Sequence, residues 1–277
     1  MSEELTVKLL LDTRTIALRD VVCRGDCRHK SAEECAQATF LVFPYRGAFV
    51  RHLGREDVVG EANQVMFFNQ DESYKISHPV DGGDACLSIS TDEGLLRELA
   101  VKEQVRQGSK LAFELPRLRI DARAQALVAL LRHGLQNGAI ETLEAEVLAL
   151  TLVKRALGER TSHAARASAG RQKLVDRAKL ILTSDLSRRW TLADIAAEVG
   201  VSPVYLTQVF QQVEGLPLYR YQLRLRLARA LDLLPRCDDL TSLGMELGFS
   251  SHSHFSAAFR QAYGRTPREF QQLVQAR

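Results

Sequence analysis

The feature that most constrains this chain is a repeat near its C-terminal end. Ile195, Ala196, Gly200, Val201, Leu206, Phe210 and Gly215 are answered in order by Leu243, Gly244, Gly248, Phe249, Phe255, Phe259 and Gly264. Two copies are too few for a solenoid, which needs at least about three units to bury its faces. Each copy instead has the pattern of two helices joined by a tight turn. A tiny residue, Ala196 or Gly244, stands where a second helix crosses closely. Four positions on, Gly200 or Gly248 supplies left-handed backbone, and an apolar residue plugs the corner. Ser202 before Pro203 reads as a cap and first helical residue, Ser250 or Ser251 does the same in the second copy, and Thr191 with Asp194 resembles a capping box. Leu206 with Phe210, and Phe255 with Phe259, then dock the second helix of each pair and leave its other face polar.

Between the copies, Leu218 to Leu234 is apolar nearly all round, with Arg220, Arg224, Arg226 and Arg229 interspersed. A helix there is about 26 Å long. With its flanking turns it would set the two polar helices roughly 34 Å apart, one turn of duplex DNA. Charge agrees: residues 171–277 hold 15 Lys+Arg against 10 Asp+Glu, so the basic excess of a chain with net charge +3 sits in this third. Gln bonds bidentately to adenine and Arg to guanine, which suits Gln208, Gln211 and Arg260 to base or phosphate contact.

On these residues the segment from about Arg171 to Leu273 resembles the two-motif DNA-binding domain of the AraC family of transcription regulators. The most specific part is Gly248-Phe249-Ser250-Ser251-His252-Ser253-His254-Phe255-Ser256-Ala257-Ala258-Phe259-Arg260, followed by Gly264-Arg265-Thr266-Pro267-Arg268-Glu269-Phe270. The resemblance implies helix-turn-helix motifs at 192–211 and 240–260. It implies DNA contact by Ser202, Val204, Tyr205, Thr207, Gln208 and Gln211 on one helix, and by Ser251, His252, Ser253, Ser256 and Arg260 on the other. At Gln208, Gln211 and Ala257, where the family commonly carries basic residues, this chain is uncharged. The family also implies an N-terminal cupin-like barrel that binds a small-molecule effector, then a helical dimerisation element, and RNA polymerase as a partner if the protein is an activator.

The remaining sequence has that order. From about Thr15 to Ser90, short β-prone runs such as Thr39 to Phe43, Val65 to Phe68 and Leu87 to Ile89 recur with glycines between them, as in an antiparallel sandwich or small barrel. From Asp121 to Leu157 the period becomes helical. Leu127, Leu131 and Leu135 stripe one helix, Asn137-Gly138 turns, and Leu143, Val147, Leu150 and Leu157 stripe the next, where they are expected to form the seam of a homodimer. Glu159 to Gly170 has no periodicity and reads as a linker. The expected fold class is therefore α+β, with a barrel at 1–120, a dimerising helix pair at 121–158, a linker at 159–170 and an all-α DNA-binding domain at 171–277.

No stretch approaches the roughly 18 apolar residues of a membrane helix, and Met1-Ser2-Glu3-Glu4 is acidic where a secretory signal is basic, so a cytoplasmic protein without a membrane partner is expected. Five cysteines without an export signal argue for thiols over disulfides. Cys23 and Cys27, flanked by Arg24, Arg28 and Lys30 and joined by Cys35 and Cys86, are the candidates for a thiol or soft-metal sensor. No strand His-x-His accompanies His29, His52, His78 and His133, so no catalytic residue, resident metal or cofactor is expected. His252 and His254 diverge on a helix and make a poor chelate. The rival reading is an effector-independent architectural DNA-binding protein, and an internal cavity in the barrel would separate the two.

Overall fold

The computed structural model describes residues 5–25, 29–106, 108, 110–164 and 167–275. Its strands are β1 (Leu5–Asp12), β2 (Ile16–Cys23), β3 (Glu34–Cys35), β4 (Phe40–Arg46), β5 (Ala48–Leu53), β6 (Glu56–Glu61), β7 (Gln64–Phe68), β8 (Ser73–Ser77), β9 (Asp84–Thr91) and β10 (Arg117–Arg119). Antiparallel pairing gives a six-stranded sheet in the order β1-β2-β9-β4-β7-β10 and a four-stranded sheet in the order β3-β8-β5-β6.

Side-chain alternation explains the layering. Leu41, Phe43, Val65, Phe67, Leu87 and Ile89 share one core with Val128, Leu131, Leu152 and Val153 of the helices behind the sheet. Their chain neighbours Val42, Met66, Phe68 and Cys86 point the other way and pack with Phe49 and Val58 of the smaller sheet. The central strands β9, β4 and β7 of the larger sheet are thus a middle layer, buried on both faces, and read as continuous apolar runs for that reason.

The covering layer is α2 (Ala122–Asn137) and α3 (Thr142–Leu157), preceded by the short α1 (Glu93–Leu99). Asp121 accepts from the Ala124 amide to start α2, and Gly138 at φ +65° ends it. On α3 the expected seam divides. Leu143 and Val147 are 72% and 57% exposed, whereas Leu157 is fully buried and Leu150 is partly covered by the same core. Leu157 cannot lie in a dimer seam, because the C-terminal turns of α3 pack on β10 beside Leu118 and Ile120.

The C-terminal part is helical: α4 (Ala169–Ser184), α5 (Leu192–Val199), α6 (Pro203–Glu214), α7 (Leu218–Leu233), α8 (Leu240–Glu246), α9 (His252–Tyr263) and α10 (Pro267–Gln275). It has two cores. Leu218, Tyr221 and Leu225 of α7 join α4, α5 and α6, while Leu227, Ala230 and Leu231 join α8, α9 and α10. A helix that serves two cores on different sides spreads its apolar residues around its circumference, hence the lack of a single apolar stripe.

The stretch read as a linker is anchored. His163 exchanges both backbone hydrogen bonds with Arg119, its ring meets the Val213 carbonyl at 3.0 Å, and it packs where a side chain at Gly215 would stand. The two parts share a polar interface. Arg117 donates two hydrogen bonds to Asp176, at 2.9 and 2.6 Å, and the Tyr221 hydroxyl donates to Glu61, while Lys179, buried in α4, pairs within the helical part with Glu214 at 2.5 Å. Burial disfavours the charged Arg117 guanidinium, but Asp176 outweighs it and raises its pKa above the ordinary value. Burial, with a smaller push from the Glu214 charge, raises the Glu61 carboxyl above its ordinary value.

Candidate nucleic-acid interface and internal cavity

The first helix pair is built by local rules. Thr191 and Asp194 cap each other's backbone to start α5, whose Ile195, Ala196 and Val199 are buried. Gly200 turns the chain at φ +75°, and the Ser202 hydroxyl accepts from the Tyr205 amide at 3.2 Å ahead of Pro203. Leu206, Val209, Phe210 and Val213 seat α6, which leaves Val204, Tyr205, Thr207, Gln208 and Gln211 exposed. The Thr207 hydroxyl is committed to the Pro203 carbonyl at 3.0 Å, so Gln208 and Gln211 are the polar groups of this face with reach.

The second pair repeats the plan with tighter packing. A Cβ on Gly244 would sit 3.2 Å from that of Phe255, the close crossing that the small residue permits. Gly248, at φ +78°, faces the Ser187 carbonyl and the Arg226 guanidinium, and no side chain fits between them. Of the two candidate caps, Ser251 is the one used, accepting from the His254 amide at 3.1 Å. Phe255 and Phe259 seat α9; His252, Ser253, Ala257 and Arg260 are exposed and Ser256 is half-buried. His252 lies 3.4 Å from the Ser256 hydroxyl, while His254 meets the Ser250 hydroxyl and stands edge-on to Phe249, so the two rings serve separate partners.

Three of the four arginines of α7 are internal ties. Arg226 donates to the carbonyls of Leu186, Arg188 and Gly248, joining the two pairs; Arg224 holds the Ile120 carbonyl; Arg229 pairs with Asp232. Arg220 is the exposed one, beside Tyr219. Sequence reasoning could not separate these, because a helix packed on several sides gives its charges no common face.

Between the two sheets lies a cavity of about 580 Å³. Phe40, Phe49, Phe68 and Ile76 form part of its apolar wall, and Cys23, His78, Asp84 and Cys86 are polar groups that also line it. The N-terminal phenylalanines therefore divide, since Phe43 and Phe67 belong to the helix-facing core instead. Behind this wall Arg51 is fully buried, stacked 4.0 Å from the Phe68 ring centroid and paired with Glu72 at 2.6 Å, a residue that no sequence pattern singled out. Of the candidate sensor thiols, Cys23 and Cys86 are buried on the adjacent strands β2 and β9, and Cys35 is exposed on the edge strand β3. Cys27 lies outside the described residues.

A family model described as a helix-turn-helix domain matches residues 195–273. The chain is 33% identical over 94 residues to the regulatory protein PocR of Salmonella typhimurium, covering 34% of this chain and 31% of that protein. It is 37% identical over 93 residues to the HTH-type transcriptional regulator ArgR of Pseudomonas aeruginosa, covering 33% and 28%. The match thus spans about a third of the length of these curated relatives. Among solved structures, a transcriptional regulator of Chromobacterium violaceum described as having an AraC-type DNA-binding domain is 35% identical, with a TM-score of 0.37, covering 40% of this chain and all of that one.

Proposed function

We propose that the chain, whose C-terminal third is similar to helix-turn-helix regulators, is an AraC-family one-component transcription regulator that reads double-stranded DNA with α6 and α9. The observation that carries the reading is the pairing of two capped, glycine-turned helix units whose second helices both leave a polar face in solvent. In this reading the pairs are two helix-turn-helix motifs and α7 is the spacer that presents them to successive major grooves. Gln208 and Gln211 read base edges from α6. His252, Ser253 and Arg260 meet base edges and backbone from α9, with Val204 and Tyr205 offering apolar contact to thymine methyls.

The two-sheet module, read as a cupin-like barrel, takes a small-molecule effector in its cavity, whose volume lies within the usual range for ligand pockets. That volume favours the sensor over the architectural alternative. Two chains pair through the exposed N-terminal turns of α3, around Leu143 and Val147, and binding shifts how the two DNA-binding domains are presented, with RNA polymerase as a partner where transcription rises. No described helix is long and apolar enough to cross a membrane, and we place the protein in the cytoplasm with its DNA.

The test is selection from random duplexes with the full chain. Two short motifs separated by about one helical turn are the expected enrichment. No enrichment at physiological salt refutes the reading. For the dimer, Leu143→Glu should convert a sedimenting dimer to monomer; a parent chain that is monomeric at tens of micromolar removes the dimer.

A further inference from the structure

The cavity contains a second chemistry besides its apolar wall. Cys23 ends β2, and Asp84 begins β9 directly opposite it in the antiparallel register, so both side chains leave the sheet on the same face. The turn before Asp84 is forced tight. Gly82 and Gly83 both have positive φ, and a Cβ on Gly83 would stand 2.1 Å from the Cys23 carbonyl oxygen. From the opposite sheet, His78 follows β8 and hydrogen-bonds Asp84 through Nδ1. One donor atom each from Cys23, His78 and Asp84 lies within 4.8 Å of the others. Cys86, two residues along β9, points its Sγ at the second Asp84 oxygen from 3.4 Å. Cys23, Asp84 and Cys86 are all under a tenth exposed, and the His78 side chain is 15% exposed.

We propose that Cys23, His78 and Asp84 are the protein ligands of a borderline divalent metal ion, of which Zn²⁺ is the type, held at the polar part of the cavity wall. Sulfur, nitrogen and oxygen donors together select this class; magnesium and calcium take oxygen sets. Three protein donors are the number that leaves a tetrahedral ion one open position, and here the cavity borders all three, so water or a donor atom of a small molecule completes the shell. The buried Asp84 carboxyl stands beside both thiols, with Cys23 in the three-donor cluster and Cys86 at 3.4 Å. A dication lets Cys23 bind as thiolate, its proton leaving to solvent. It also ties β2 and β9 of one sheet to the segment after β8 of the other. The sequence suggested a soft-metal role for Cys23 through its neighbour Cys27; folding places His78 and Asp84 beside Cys23, more than fifty residues away in the chain.

The experiment uses the full chain, stripped with a chelator and titrated with Zn²⁺ against a chromophoric competitor, then with Co²⁺ as a spectroscopic stand-in. Expected are one equivalent per chain, a raised melting temperature, and a thiolate-to-cobalt charge-transfer band with tetrahedral ligand-field intensity. His78→Ala and the isosteric Asp84→Asn should each weaken Zn²⁺ binding by about tenfold or more, and Cys23→Ser should abolish the charge-transfer band, while Cys35→Ser changes neither. Should a variant misfold by circular dichroism, the parent's stoichiometry and cobalt spectrum decide alone. Absence of stoichiometric binding overturns the site, as does a band that survives Cys23→Ser. Binding lost in Cys27→Ser but kept in His78→Ala assigns the ion to the thiol loop and also overturns it. Metal binding is read without DNA, so the outcome stands apart from the regulator reading.

Discussion

The two helix pairs of the C-terminal part share a plan but are held differently. The first pair is carried by α4 and α7, which meet the sheets through an ion pair and a hydrogen bond, Arg117 with Asp176 and Tyr221 with Glu61. The second is carried by α7 and α10, which meet the helix α2 instead of the sheets, through the buried ion pair of Arg132 with Asp232, the His133 ring at the Leu231 carbonyl, and Asn137 at the Val274 carbonyl. Their exposed faces differ in the complementary sense, neutral Gln208 and Gln211 on the anchored unit, and His252 with Arg260 on the other. A repeat at the level of sequence thus makes two units with different supports, the first held against the two-sheet module and the second tied to it through α2.

The sharpest break in this comparison is Asp176→Ala. It strands Arg117 and removes one of two acceptors near Lys179, and a buried charge left without its partner costs about 3–5 kcal/mol. Denaturant unfolding of the full chain should show that loss, and a loss under about 1 kcal/mol would mean that water reaches the interface and the first unit is not anchored by charge.

On the second unit's side the corresponding effect is a pH dependence. Burial first, then the Arg132 charge, hold His133 down to about 4 from its ordinary 6.5. Between those values the unfolded chain takes a proton that the folded chain refuses, so stability declines as pH falls from about 6.5 towards about 4, by up to about 1.4 kcal/mol per pH unit. His133→Gln should flatten that slope relative to the parent. Identical slopes would place the proton on another group.

Smaller effects concern the faces. Gln208→Ala should cost about 1–3 kcal/mol on the preferred duplex and little on random sequence. Equal losses on both would reduce Gln208 to a backbone contact and erase the contrast. Arg260, near the C-terminal end of α9, should act over phosphate. Arg260→Ala is expected to weaken all duplexes alike and lower the slope of log affinity against log salt by about one contact, which titration at several salt concentrations measures.

The helix pairs were legible because their determinants are local. A cap, a left-handed glycine and an i, i+4 stripe act within a dozen residues, and Thr191, Ser202, Gly200 and Gly248 all perform the expected roles. The seam on α3 was half legible. Spacing identifies one face of the helix, but whether that face meets solvent at Leu143 or core at Leu157 depends on where the helix crosses the sheet. Strand β1, with its exposed Leu5, Val7 and Leu9, escaped notice because its apolar face lacks the core partners that usually mark a strand.

By itself the sequence determined the element types, the two-copy helix-pair module, the basic C-terminal third and the β-to-α order, since propensity, capping and periodicity are properties of neighbouring residues. Only the tertiary structure decided that the segment after α3 is held at His163, that three α7 arginines are internal ties, that Phe40 and Phe43 face different layers, and that Cys23 meets His78 and Asp84. The reason is physical: a side chain's partner across a sheet or a domain boundary is chosen by packing of distant segments, and no local period records it.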